Sequence, residues 1–156
     1  VIAAAGAYVA PMTSAVAPAR SIDETLAELV EEFDLLGDWE GRIEYVIDLG
    51  KDLPPLPEEA RIEANKVPGC AAQVWLSLRP EGGRLFFDAD SDSALSKGNI
   101  ALLLRLYSGR LPDEILAFDA KAALDRLGLP SALTRQRANG LNSMVGRIRE
   151  AALAAG

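Results

Sequence analysis

The chain of 156 residues has no histidine and a single cysteine, Cys70. Those two shortages remove more chemistry than any other feature of the composition. Without histidine there is no Cys–His or Ser–His pair, so ordinary thiol-protease and serine-hydrolase catalysis is disfavoured. A zinc or iron–sulfur site needs several soft ligands, which one thiolate does not supply. There is no Cys-x-x-Cys pair to run a self-contained dithiol cycle. A lone cysteine closes no internal disulfide, which leaves a reducing cytoplasm as the expected location. No apolar run reaches the ~20 residues of a membrane helix. Basic residues are also scarce, 16 against 23 acidic ones for a net charge of −7, which argues against nucleic acid as the main partner. Phosphate-cradling loops are missing too, because Gly82-Gly83 reads as a hairpin turn.

The charge that is present is unevenly spread. Residues 21–38 hold seven acidic side chains (Asp23, Glu24, Glu28, Glu31, Glu32, Asp34, Asp38) and no basic one. The last helical stretch instead carries Arg135, Arg137, Arg147 and Arg149 against Glu150. Either this is a solvated acidic face, or an electropositive end that attracts an anion or thiolate stands opposite an acidic end.

The length suits one domain. Residues 1–20 are Ala-rich with one charge, Arg20, and read as a flexible tail. They lack the basic start of a secretory signal, and Met12 is a candidate first residue. Residues 21–156 are expected to form a single domain. Ser21 with Glu24 makes a capping box. Ile22, Leu26, Leu29, Val30, Phe33 and Leu36 follow at helical spacing to Gly37. Asp38 caps a second helix with the apolar stripe Trp39, Ile43, Val46 and Ile47, ended by Gly50. A stiff Pro-rich connector leads to one helical turn at Pro57-Glu58-Glu59.

The period then changes. Residues 74–78 and 85–89 alternate as strands around Glu81-Gly82-Gly83, a hairpin, and residues 64–67 offer a third strand. Asp90-Ser91-Asp92-Ser93 supplies N-cap candidates for a helix from Ala94 to Tyr107, closed by Gly109. That helix is nearly apolar all round and belongs in the core. Short helices start at Leu111-Pro112 and after Asp119, the second ending at Gly128. Thr134 caps a last helix with the stripe Leu141, Met144, Val145 and Ile148. Helices, a compact β-meander, then helices make an α+β fold with a small antiparallel three-stranded sheet.

The cysteine sits in Val67-Pro68-Gly69-Cys70-Ala71-Ala72-Gln73-Val74-Trp75. Pro-Gly is turn chemistry, so Cys70 lies at a bend leading into a strand. The residues alone leave two readings open. Free cysteine is among the most buried residue types, so the thiol is packing; or it performs one-thiol chemistry, attacking the outer sulfur of a persulfide and holding it. A thiol peroxidase is a third reading, weakened by the missing resolving cysteine.

Four blocks in order and at matching spacing resemble the SufE family, which includes CsdE. They are Trp39-Glu40 through Tyr45-Val46-Ile47-Asp48-Leu49-Gly50; the Gly69-Cys70 block to Trp75; Asp90-Ser91-Asp92-Ser93-Ala94-Leu95-Ser96-Lys97-Gly98; and Leu133-Thr134 with Arg137-Ala138-Asn139-Gly140-Leu141-Asn142-Ser143-Met144. The resemblance implies an IscU-like fold and a sulfur acceptor. Such proteins dock on a pyridoxal-phosphate cysteine desulfurase of the SufS or CsdA kind and stimulate it. They take its persulfide sulfur and pass it to iron–sulfur cluster assembly on the SufBCD scaffold. They bind no cofactor or metal themselves, and they are sulfur-transfer accessories with a cysteine persulfide intermediate rather than stand-alone enzymes. A monomer or homodimer is expected.

The matching nucleophile is Cys70, with Gly69 as the pivot of its loop. Gln73 is a candidate to hydrogen-bond the loop. Asp90 and Asp92 either touch the partner or cap the following helix. Lys97 either biases the thiolate or is a surface lysine. Arg137 either pairs with a carboxylate across the interface or holds local structure. Trp75 is expected in the core. Where many relatives carry serine two residues after the cysteine, this chain has Ala72. The rival functions are a regulatory module that docks on a desulfurase without carrying sulfur, and an iron–sulfur scaffold; the latter lacks its extra cysteines here.

Overall fold

A computed structural model describes residues 17–70, 72–129 and 133–155. Of the tail expected over residues 1–20, residues 1–16, including Met12, lie outside the described residues; in the rest, the Arg20 carbonyl accepts from Arg110 and the Arg20 side chain pairs with Glu28. Helix α1, Ile22–Leu36, starts where the capping box expects it: Glu24 N–H donates to Ser21 Oγ at 3.1 Å, and Ser21 N–H to Glu24 Oε1 at 2.9 Å. Its apolar face buries Ile22, Leu26, Leu29 and Phe33, and Gly37 at φ +78° turns the chain. Helix α2, Trp39–Lys51, begins with Asp38 accepting from the Gly41 N–H at 2.9 Å. Of its expected stripe, Val46 is buried, Ile43 and Ile47 are half-buried, and Trp39 is 59% exposed. The tryptophan is the first helical residue, beyond the reach of the helices that cover Val46.

Gly50 does not end α2. It is buried inside the helix, where a β-carbon would lie 2.7 Å from the Gly98 backbone nitrogen. Glycine is required there by helix contact, not by termination.

Two short 3₁₀ turns follow, Glu58–Ala60 and Glu63–Asn65. Strands β1 (Val74–Glu81) and β2 (Arg84–Ser91) pair antiparallel, from Val74 opposite Ser91 to Glu81 opposite Arg84. β1 starts where the apolar alternation starts and runs three residues past it, and β2 is longer at both ends. Gly82 and Gly83, at φ +61° and +81°, make the two-residue turn that a twisted hairpin prefers.

The sheet has two strands, not three. The segment 64–67 gives only one bridge, Lys66 to Trp75. Its carbonyls are taken elsewhere: Arg147, from the last helix, donates to the carbonyls of Ala64 and Lys66. Asn65 Nδ2 meanwhile bonds the Ala60 carbonyl at 2.8 Å, which holds the chain in a turn.

Helix α3, Ala94–Tyr107, is the buried centre, with Ile100, Leu102, Leu103, Leu106 and Tyr107 among its enclosed side chains. It packs on α1, α2, the sheet and the last helix. Helix α4 (Pro112–Ala117) and helix α5 (Ala120–Leu127, capped by Asp119 and ended by Gly128) lead to α6, Arg135–Ala155. The Arg137 N–H bonds Thr134 Oγ1 at 3.3 Å at its start. This α+β arrangement sets α6 beside the end of the sheet from which the cysteine loop projects. Among the described residues no helix is long and apolar enough to cross a membrane.

Candidate functional site

The cysteine loop spans residues 68–73. Its base is closed by the Val67 N–H, which donates to the Val74 carbonyl at 2.8 Å. Its far end is closed by Gln73. The Gln73 N–H donates to Asp92 Oδ1 at 3.0 Å and its side-chain amide to Oδ2 at 3.4 Å. The Gln73 carbonyl accepts the Ser91 hydroxyl at 2.7 Å and the Asp92 N–H at 3.3 Å. Gln73 thus ties this end of the loop to Asp92 and Ser91. Neither Asp90 nor Asp92 caps α3: Ser93 does, accepting from the Ser96 N–H at 3.4 Å. Position 93 is one residue before the helix, so its hydroxyl is the side chain that reaches the first turn.

Between these ends Gly69 adopts φ +82°, where a side chain would be strained. Cys70 is half-buried, and its Sγ lies 3.7 Å from the Gly140 carbonyl on α6. A thiol donates to that oxygen; a thiolate would be repelled by it. Burial pushes the Cys70 pKa up from the ordinary thiol value, and the Arg137 guanidinium pulls it back part of the way. Burial and the Gly140 carbonyl thus both favour the neutral thiol over the thiolate, the form that oxidants attack.

Arg137 donates to Ser93 Oγ at 3.1 Å and Ser96 Oγ at 2.7 Å, fastening α6 to the start of α3. The partners of Arg137 and Arg147 among the described residues are hydroxyls and backbone carbonyls. Among the described residues neither arginine forms an ion pair with a carboxylate. Lys97 is drawn elsewhere, to Asp90 Oδ1 at 3.4 Å. Asp90 is buried and also meets Arg61, while the Arg61 guanidinium stacks 5.1 Å from the buried Trp75 ring. Burial raises the Asp90 pKa, but the Ser91 N–H, Lys97, the Leu56 N–H and Arg61 together outweigh it and hold the carboxyl below its usual range.

The fold thus gathers Gly69, Cys70, Gln73, Asp92 and Arg137 around one loop. It sets Asp90 and Lys97 in a separate ionic cluster that fixes the connector to the sheet. The sequence places Gly140 and Ser143 in a block of family resemblance and Arg147 in a basic run, but gives none of them a role against the loop or its approach. A glycine in mid-helix, where it costs about 1 kcal/mol relative to alanine, was the signal available for the first.

A family model of the SufE Fe–S metabolism associated domain matches residues 27–152. The chain belongs to the SufE family. Two curated SufE-like proteins, both described as uncharacterized, agree. One from Rhizobium etli is 48% identical over 132 residues, covering 82% of this chain and 89% of the relative. One from Rhizobium meliloti is 42% identical over 132 residues, covering 82% and 94%. The fold matches the solution structure of a hypothetical protein from Thermus thermophilus with a TM-score of 0.70 at 22% identity, over 84% of this chain and 95% of that one. Membership associates this SufE domain with iron–sulfur metabolism.

Proposed function

We propose that the chain is a sulfur acceptor and carrier for a pyridoxal-phosphate cysteine desulfurase, working in the cytoplasm through Cys70. One observation carries this reading: within a SufE domain, Cys70 stands on a loop hydrogen-bonded at both ends, and its tip rests half-buried against α6 with Sγ 3.7 Å from the Gly140 carbonyl. Such a loop can move outward about its ends while the sheet and α6 stay in place.

In the transfer, the Cys70 thiolate attacks the outer sulfur of the desulfurase persulfide. The new S–S bond forms as the donor's S–S bond breaks, and the donor thiolate leaves with the electron pair. One S–S bond replaces another, so no oxidant or reductant is consumed. Leaving Gly140 removes both the burial and the carbonyl that favour the protonated form, and the arginines of α6 favour the thiolate that results. The loaded carrier then delivers sulfur to iron–sulfur cluster assembly, with a SufBCD-type scaffold as the acceptor.

Desulfurase turnover with cysteine, with and without this chain, tests the reading. Wild type is expected to stimulate sulfur release, and Cys70→Ser is expected to give none of that stimulation. The half-buried, protonated thiol also favours a second reading, a docking regulator in which Cys70 is packing. A Cys70→Ala chain that stimulates fully selects it.

A further inference from the structure

The side of α6 that meets the cysteine loop has an order of its own. Arg137, Gly140, Ser143 and Arg147 follow one another every three or four residues and so share one side of the helix. The two arginines grip the frame around the loop: Arg147 the carbonyls of Ala64 and Lys66 before it, Arg137 the hydroxyls of Ser93 and Ser96 beyond the sheet. Between them stand two small residues, and these meet the loop itself. A β-carbon on Gly140 would lie 3.4 Å from Cys70 Cα, 3.5 Å from Sγ and 3.7 Å from Cβ. A β-carbon on Gly69 would lie 2.9 Å from Ser143 Oγ. The loop therefore lies against α6 through a missing side chain on each partner.

We propose that Gly140, seconded by Ser143, is the positioning residue that sets where Cys70 rests. The frame is clamped by arginines; the loop is merely seated, and the volume at position 140 decides how deeply. At 3.4–3.7 Å an alanine methyl makes ordinary contact with Cys70 and fills the seat without displacing the thiol. Valine adds two methyl groups about 1.5 Å further out, a single-bond length, in the volume that the thiol occupies. The loop, whose hydrogen bonds to the sheet lie at its ends, yields before the helix does. The functional consequence, an acceptor that is open before docking, rests on the reading of Cys70 as the sulfur-accepting group; the position of the loop does not.

The test is the rate at which iodoacetamide alkylates the one thiol of the full chain, followed against pH. Gly140→Ala is expected to react within about twofold of wild type. Gly140→Val is expected to react at least tenfold faster, with the pH midpoint shifted down toward that of an exposed thiol. Gly146 supplies the control, because it lies on the same helix with nothing within 4 Å of its would-be β-carbon. Gly146→Val makes the same change in helix propensity and is expected to leave both rate and midpoint unchanged. Should Gly140→Val fail to fold by circular dichroism, Ser143→Leu makes the same thrust against Gly69 and is expected to accelerate alkylation likewise. Wild-type alkylation in the folded bulky variant, or equal acceleration by Gly146→Val, overturns the proposal. Fast alkylation without sulfur uptake from a persulfide-loaded desulfurase, in variant and wild type alike, upholds the seat and removes the carrier reading.

Discussion

Two places in this molecule bring backbones together through glycine, and they differ in what lies opposite. Where α2 crosses α3, a β-carbon on Gly98 would overlap the Val46 carbonyl group, 2.6 Å from its carbon, and one on Gly50 would strike the Gly98 backbone. Both partners are helical main chain, hydrogen-bonded along their length, and neither can retreat. Where α6 meets the cysteine loop, the β-carbon of an alanine at 140 would stand 3.4 Å or more from Cys70. The partner there is a short loop bonded at its ends. The first contact is a fixed joint of the core; the second leaves room for a methyl group at position 140.

The comparison is broken or sharpened most strongly at the fixed joint. Gly98→Ala is expected to lower unfolding stability by about 3 kcal/mol in urea titration, as overpacking against backbone does. Gly140→Ala is expected to stay within about 1 kcal/mol of wild type, because the helix gains what glycine had cost. Equal losses at the two positions would erase the distinction.

Next in size is the frame around the loop. Arg147→Met keeps the aliphatic stem but leaves the carbonyls of Ala64 and Lys66 without their donor, and is expected to cost about 1–2 kcal/mol by the same titration. Freed from Arg147, segment 64–67 is also expected to exchange its amide hydrogens faster.

Smaller effects belong to the loop. Asp92→Ala removes the acceptor for the Gln73 backbone and side chain. It is expected to cost about 1 kcal/mol and to speed alkylation of Cys70, with α3 unaffected because Ser93 is its cap. The pH dependence follows from the raised pKa of Cys70. Its sign is fixed by burial of the neutral form: the seated thiol supports the fold below the pKa of an unfolded thiol, and that support is lost as pH rises through the higher folded value. Wild-type alkylation is therefore expected to have a midpoint above that of a cysteine peptide. Arg137→Gln, which removes the one charge that lowers it, is expected to move the midpoint further up.

How much of this was legible depends on how local the cause is. The starts of α1, α2, α5 and α6 were readable because Ser21, Asp38, Asp119 and Thr134 act on N–H groups within three residues. The hairpin was readable from Gly82-Gly83 and the alternation around it. The third strand was misread because the group that takes its carbonyls, Arg147, lies 81 residues from Lys66. Gly50 was misread as a stop because glycine has the same appearance at a helix end and at a helix crossing, and Gly98 alone tells them apart. Trp39 fitted a helical stripe that the neighbouring helices do not extend far enough to cover.

At the site, Cys70 and its bend were evident from a Pro-Gly pair and a unique thiol. For Asp92, a contact to a partner or a helix cap was the expectation; the cap is Ser93, and the link to Gln73 was not legible because Gln73 lies 19 residues away, just before β1. Gly140 needed the opposing loop to acquire a meaning.

Mixing the chain with a persulfide-loaded desulfurase, without reductant, and following the intact masses of both tests the central claim most directly. The account predicts that this chain gains one sulfur as the desulfurase loses one, that peptide mapping places the sulfur on Cys70, and that Cys70→Ser gains none. A desulfurase that keeps its sulfur while being stimulated by the wild-type chain would contradict it.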